Sequence, residues 1–181
     1  MASTERPGRA LLDVNVLIAL HDEQHIHHET AAQWLSDHAK FGWATCPLTQ
    51  NGCVRIMSQP NYSSPAPLQD VMAMLGHSCS VPSHAFWPDD VSLLDNARFS
   101  HSRVHGHRQI TDLYLLALAV RHGGRLVTFD AQVPVSAVKG ANPSNLVGIQ
   151  PVAWRTPRPR GARVPRGPRH RRRPRPDQEL R

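Results

Sequence analysis

The chain has 181 residues, a formal net charge of +7 and three cysteines. That length suffices for one domain with a hydrophobic core. The cysteines lack CxxC spacing, which argues against a disulfide framework and favours a reducing compartment. No apolar run is long enough to span a bilayer and the N-terminus has no apolar signal core, so we expect a soluble, cytoplasmic protein with no membrane partner.

The positive charge is concentrated at the C-terminal end. Residues 1–154 carry 10 Lys and Arg against 12 Asp and Glu, a net of −2, whereas residues 155–181 carry 11 Arg and two acids, a net of +9. Pro, Arg and Gly dominate this last segment and apolar periodicity disappears, which predicts a disordered basic tail over 155–181. Residues 1–9 are predicted to be a disordered leader, and this leaves residues 10–154 as the folded domain.

Short apolar segments alternate with stretches of helical spacing between these two ends. Strands are predicted at 10–12, 43–45, 125–129 and 145–148. Helices are predicted at 14–20, 27–39, 48–57, 68–75, 92–97 and 109–122. We expect Gly76 to end the fourth helix and Thr111 to cap the last. The alternation predicts an α/β fold with a parallel sheet.

Three aspartates stand where separate apolar segments end or begin. Asp13 and Asp130 each follow a predicted strand, and Asp112 opens the most regular predicted helix. Because ligands of parallel α/β sheets bind beyond the carboxyl ends of the strands, we expect these carboxylates to converge. Converging carboxylates repel each other unless a cation lies among them, and oxygen ligands suit Mg²⁺, or Mn²⁺ as an alternative. Each aspartate alone could instead favour a helix N-terminus, but the three together favour a shared metal site.

Other polar side chains near these aspartates in sequence are candidates for supporting roles. Asn15 could orient a carboxylate or a water on the metal, and Thr111 and Thr128 add hydroxyl groups. Two clusters of histidines have no spacing that matches a structural zinc site, so we interpret them as solvated loop residues.

Four segments resemble the motifs of PIN-domain nucleases, and more specifically of VapC-type toxins from type II toxin–antitoxin pairs in a mycobacterial-like subgroup. In chain order they read LLDVNVLIAL, CPLTQNGCVR, GHRQITDLYLLALA and GGRLVTFD. The resemblance spans residues 10–152 and places Asp13, Asp112 and Asp130 on the acidic positions of the family. It places Gln50 where the second motif usually has a glutamate. It implies a PIN-like three-layer α/β fold, with a central parallel sheet of about four to five strands flanked by helices. It also implies a Mg²⁺- or Mn²⁺-dependent endoribonuclease activity, inhibition by a cognate antitoxin and pairing as a homodimer.

The resulting hypothesis is metal-assisted hydrolysis of RNA phosphodiester bonds, with the three aspartates as metal ligands and catalytic residues. His107 and Arg108 precede the third motif and could contact an RNA phosphate. In the tail, clustered arginines could add salt-dependent affinity for RNA. The residues concerned there are Arg171, Arg172 and Arg173.

Two alternatives stay open at the level of sequence. Gln50 keeps a carbonyl oxygen but not a negative charge, so the chain could be a catalytically weakened module that binds RNA or antitoxin. A small phosphatase-like protein or a response-regulator receiver would also have an acidic pocket. The former needs an aspartate where Asn15 stands, and the latter needs a lysine better placed than Lys139.

Overall fold

The computed structural model describes residues 7–130 and 132–150, so the basic tail predicted at 155–181 lies outside the described residues. The described residues contain five strands: β1 (Ala10–Leu12), β2 (Trp43–Thr45), β3 (His84–Phe86), β4 (Arg125–Thr128) and β5 (Leu146–Gly148). They form one parallel sheet in the order β3-β2-β1-β4-β5. This arrangement confirms the predicted α/β class and adds β3, which the sequence did not predict.

In the part of the chain that the structure describes, five α-helices flank the sheet. They are α1 (Val14–His21), α2 (His28–His38), α3 (Pro47–Met57), α4 (Leu68–Cys79) and α5 (Ile110–Arg121). No helix in the described ranges is long and apolar enough to cross a membrane.

Alternate residues of the central strands point to opposite faces, as the pleat of a strand requires. Leu11 and Leu126 pack into the core on the α5 side. Leu12 and Val127 pack into the second core, together with apolar residues of α1, α3 and α4. Both faces of β1 and β4 are therefore covered, which explains why these strands are apolar without interruption.

Three local predictions were wrong, each for an identifiable reason. The fourth helix continues through Gly76 to Cys79, because a helical glycine costs only about 1 kcal/mol relative to alanine and does not by itself end a helix. Residues 92–97 form turns, in which the side chains of Ser92 and Asp95 accept backbone N–H groups and so compete with helix formation. Thr111 lies inside the first turn of α5, which begins at Ile110, and is not its N-cap.

Two glycines and one arginine fix the elements that carry the acidic residues. A Cβ atom at Gly52 would lie 2.7 Å from a methyl carbon of Val14, so glycine allows α3 to pass close to the start of α1. Gly123 has a φ of 64° and reverses the chain from α5 into β4. Arg9, which the sequence placed in the leader, donates to the carbonyl oxygens of Trp43 and Ser83.

Candidate active site

The carboxyl ends of β1 and β4 bring Asp13 beside Thr128. Leu12 pairs with Val127 in the parallel register, and the Asp13 N–H donates to the Val127 carbonyl at 3.0 Å. Asp13 also caps α1, since its Oδ1 accepts the Val14 N–H at 2.6 Å. Sequence reasoning treated capping and ligand binding as alternatives for Asp13, but the cap occupies only one of its two carboxylate oxygens.

One hydroxyl connects two of the three aspartates. Thr128 Oγ1 donates to Asp13 Oδ2 at 2.9 Å and accepts the backbone N–H of Asp130 at 3.0 Å. Thr128 is 1% exposed and Asp13 is 5% exposed, so the hydrogen bond between these two side chains is buried. Asp130 itself is exposed, and its Oδ1 accepts the Gln132 N–H at 2.8 Å. Thr128 therefore sets the positions of both acidic residues relative to each other.

Asp112 reaches the same edge from the first turn of α5, which packs against β1 and β4. Burial, together with the negative charges of Asp13 and Asp130, raises the pKa of Asp112 to about 6. Burial also raises the pKa of Asp13, against the hydrogen bonds from Thr128 and Val14 that lower it, while Asp130 adds to the rise. The structure thus brings the three aspartates within electrostatic reach of one another.

This donor set suits a hard divalent cation held partly through water. No three His, Cys, Asp or Glu side chains in residues 7–130 and 132–150 are close enough to enclose one ion directly. Mg²⁺ usually binds through one or two carboxylates and keeps several waters, so it does not need three direct ligands. A cation would also offset the mutual repulsion that raises the pKa of Asp112.

The other residues predicted for the site fall into two groups. Some lie beside this edge of the sheet, and the others do not. Asn15 and Thr111 are exposed near the starts of α1 and α5, and His107 and Arg108 are exposed in the short 3₁₀ turn that precedes α5. Gln50 does not add to the carboxylate group. The tail arginines predicted to bind RNA lie outside the described residues. They are Arg171, Arg172 and Arg173.

Gln50 is oriented toward the junction of α3 and α4. Its Nε2 donates to Thr45 Oγ1 at 2.8 Å and lies 3.8 Å from Cys79 Sγ. It also lines a groove of about 560 Å³ between α3 and α4, whose apolar lining includes Met72 and Leu75. The amide at this position therefore has structural partners of its own, a point that the sequence motif did not reveal.

The raised pKa of Asp112 predicts how the metal-free protein responds to pH. Because the folded pKa lies near 6 and the ordinary value is 3.8, the folded state binds this proton more tightly than the unfolded state. The stabilisation from Asp112 is therefore fully present below about pH 4 and is lost as the pH rises through about 6. With a chelator present, we therefore expect the melting temperature of the wild type, relative to that of Asp112→Asn, to rise as the pH is lowered from 7.5 to 5.

The matched control for this measurement is Asp37→Asn. Asp37 is exposed on α2, where it accepts a hydrogen bond from Gln33. The difference in melting temperature between this variant and the wild type should not change over the same pH range. An Asp112→Asn difference that stays constant with pH would contradict the assigned electrostatic environment.

Comparison with known proteins agrees with this geometry. The family model described as the PIN domain matches residues 10–138. The chain is 48% identical over 141 residues to Ribonuclease VapC44 of Mycobacterium tuberculosis, which covers 78% of this chain and 99% of that relative. It is 46% identical over 132 residues to Ribonuclease VapC39 of the same species, covering 72% and 95%.

A solved structure with lower sequence similarity has the same fold. The crystal structure of VapBC2 from Rickettsia felis, bound to a DNA fragment from their promoter, matches with a TM-score of 0.51 and 13% identity, covering 76% of this chain and 96% of that chain. The fold and the acidic edge define a PIN-domain protein. The chain belongs to the VapC ribonuclease branch of the PIN-domain family.

Proposed function

We propose that this chain is an endoribonuclease that acts as the toxin of a toxin–antitoxin pair and uses Mg²⁺, or Mn²⁺, held by Asp13, Asp112 and Asp130. The observation that carries the proposal is the meeting of these carboxylates from β1, α5 and β4 at one sheet edge. Membership of the VapC ribonucleases supports RNA as the substrate and a cognate antitoxin as the inhibitor.

Asp13 retains the capacity to bind a cation in spite of its two hydrogen bonds. Val14 occupies one site on Oδ1 and Thr128 occupies one site on Oδ2. A carboxylate oxygen has two lone-pair sites, so each oxygen keeps one for a cation or a water. When bound, the cation supplies positive charge against the scissile phosphate and lowers the pKa of a bound water. Asp112 and Asp130 contribute the remaining negative charge that holds it.

The surroundings of the carboxylates favour one cation over two. Gln50 carries no charge, and its amide donates toward Thr45 and Cys79. Three carboxylates can balance one divalent ion, whereas a second would depend on phosphate oxygens of the substrate. We therefore propose a single resident cation, with His107 and Arg108 as contacts for the RNA backbone because both are exposed just before α5.

Cleavage of a defined single-stranded RNA in the presence and absence of divalent cations tests this function. We expect no cleavage in EDTA, restored cleavage with Mg²⁺ or Mn²⁺, and a rise in melting temperature when either ion is added, because binding to the folded state alone stabilises it. A small phosphate ester in parallel should stay intact, which separates a ribonuclease from a phosphatase. Undiminished RNA cleavage in EDTA would refute the metal-dependent mechanism.

A further inference from the structure

Two segments that adjoin α5 and β4 in the chain are paired with each other. Residues 96–103 precede α5, and residues 135–139 follow β4. Phe99 and Val138 form an antiparallel bridge between them, and both side chains are buried in the core that contains α5. These paired segments therefore hold a fixed position beside α5.

Each of the paired segments carries an exposed cation that is hydrogen-bonded to a backbone carbonyl of the other segment. Arg103 Nη1 donates to the Ser136 carbonyl at 3.3 Å, and Lys139 Nζ donates to the Asn96 carbonyl at 2.7 Å. Further N–H groups of both side chains stay available to a ligand. Because the hydrogen bonds already orient the side chains, less conformational entropy is lost when a ligand binds.

Exposed cations without an acidic partner are concentrated on the α5 side of the sheet. The exposed lysines and arginines among the described residues are Lys40, Arg55, Arg103, Arg108, Arg121 and Lys139. Only Arg121 of this set forms an ion pair, with Asp90. The residues Arg103, Arg108 and Lys139 lie on the paired segments or in the 3₁₀ turn directly before α5, whereas α2 and α3 pack on the other face of the sheet.

The paired segments extend along α5 toward Asp112. A Cβ atom at Gly140, next to Lys139, would lie 4.0 Å from a methyl carbon of Val120. Val120 is eight residues beyond Asp112 in the same helix, which corresponds to about 12 Å along the helix axis. About four nucleotides cover this length at a stacked rise of about 3.4 Å per nucleotide. One short stretch of RNA can therefore contact the paired segments and the carboxylates together.

The candidate active site needs nearby positive groups if it is to receive a polyanion. Residues 1–154 carry a net charge of −2, and three carboxylates stand at the proposed site of cleavage. Arginine and lysine bind phosphate oxygens through charge-assisted hydrogen bonds. Arg103 and Lys139 supply such groups on the two segments that adjoin α5 and β4.

We propose that Arg103 and Lys139 bind the phosphodiester backbone of single-stranded RNA, which runs along the paired segments and past Arg108 to the carboxylates. This inference rests on the proposed ribonuclease function, because it assigns a path for the same substrate. The two contacts act without sequence preference, since backbone phosphates carry no base information. Their contribution decreases as salt increases, because the affinity comes from release of counterions.

Amine acetylation tests this path directly, because the chain contains only two lysines, Lys40 and Lys139, and both are exposed. The full chain in EDTA is treated with an N-hydroxysuccinimide ester of acetate, with and without a single-stranded RNA, and each lysine is followed by mass spectrometry. RNA at about ten times its Kd should slow acetylation of Lys139 about tenfold, since only the free protein reacts. Lys40 follows α2 on the other face of the sheet and should react at an unchanged rate.

Two outcomes of the acetylation experiment would overturn the proposal. Lys139 that reacts equally fast with and without RNA would not lie on the path. Equal protection of Lys40 and Lys139 would indicate that RNA binds the body without a preferred path.

The salt dependence of RNA binding measures the contribution of the two cations. A fluorescent single-stranded RNA is titrated by anisotropy in EDTA against the full chain that combines Arg103→Gln with Lys139→Gln. Loss of two phosphate contacts should reduce the slope of log affinity against log salt by about 1.4, since each contributes about 0.7. Affinity at about 50 mM salt should fall at least about tenfold by the same relation. The matched control, Lys40→Gln with Arg55→Gln, should retain wild-type affinity and slope.

A charge-preserving variant separates the charge of these residues from their effect on local structure. Arg103→Lys with Lys139→Arg keeps both charges and should retain the wild-type slope. Equal loss of affinity in the charge-preserving and glutamine variants would overturn the proposal, because the effect would then come from altered structure. Unchanged RNA affinity in the glutamine variant, with weaker binding of a polyglutamate peptide, would assign the two cations to an acidic protein segment instead.

A steady-state measurement with Mg²⁺ locates the two contacts in the reaction. The glutamine variant should raise KM and leave kcat unchanged, since Arg103 and Lys139 bind the substrate away from the reacting phosphate. A fall in kcat with an unchanged KM would contradict a role in binding. If the protein cleaves no RNA at all, the proposed nuclease function fails, while protection of Lys139 in EDTA still decides the path.

Discussion

Replacement of Asp13 by asparagine is expected to reduce RNA cleavage by at least about 1000-fold while the fold remains intact. The proposed metal would contribute several kcal/mol to stabilising the transition state, and each 1.36 kcal/mol corresponds to a factor of ten in rate. Asparagine keeps an oxygen that can accept the Val14 N–H, so the cap of α1 survives. It removes the negative charge, which is buried and raises the pKa of Asp112.

The variant should therefore melt at or above the wild-type temperature in EDTA, because a buried charge and its repulsion are gone. It should also lose the rise in melting temperature that Mn²⁺ is expected to give the wild type. Asp37→Asn, on the exposed face of α2, serves as the matched control and should cleave RNA at the wild-type rate. Cleavage by Asp13→Asn within about tenfold of wild type, measured on the same RNA, would remove Asp13 from the catalytic residues.

Among the strands in the described residues, the sequence predicted β1, β2 and β4 because their largely apolar residues reflect burial, and it also predicted β5, whose residues are half-buried or exposed. β1 is completely buried and β4 nearly so, and uninterrupted apolar residues are typical of central parallel strands. β3 lies at the edge of the sheet and consists of half-buried and exposed residues, His84 among them. Its pairing with β2 depends on the tertiary arrangement, so no local sequence pattern predicted this strand.

The sequence predicted which residues form the candidate site, but it did not predict the hydrogen bonds that connect them. Asp13 and Asp130 follow strands, and the rule for parallel sheets was enough to place them at one edge. The two hydrogen bonds of the Thr128 hydroxyl depend on the register between β1 and β4, which the sequence alone did not supply. The orientation of Gln50 toward Cys79 likewise depends on how α4 packs against α3.

Replacement of Thr128 is expected to have the second large effect, because its hydroxyl group is hydrogen-bonded both to the Asp13 carboxylate and to the backbone N–H of Asp130. Thr128→Val retains the shape of the side chain but removes the donor to Asp13 Oδ2 and the acceptor for the Asp130 N–H. Loss of a partner that orients a metal ligand typically lowers metal affinity or activity by about 10- to 100-fold. We expect a decrease of that size in Mn²⁺ affinity and in cleavage, measured by calorimetry and on a defined RNA.

Thr128→Ser is the matched control, since serine keeps the hydroxyl and should stay within a few-fold of wild type. The pH profile separates the proposed role from a loss of packing. The hydrogen bond from Thr128 lowers the pKa of Asp13, so its removal makes Asp13 harder to ionise and should move the acid limb of the cleavage profile to higher pH. A valine variant with wild-type Mn²⁺ affinity and an unmoved acid limb would show that Thr128 does not position the carboxylates. A serine variant as impaired as the valine variant would assign the effect to the lost methyl group and its packing instead.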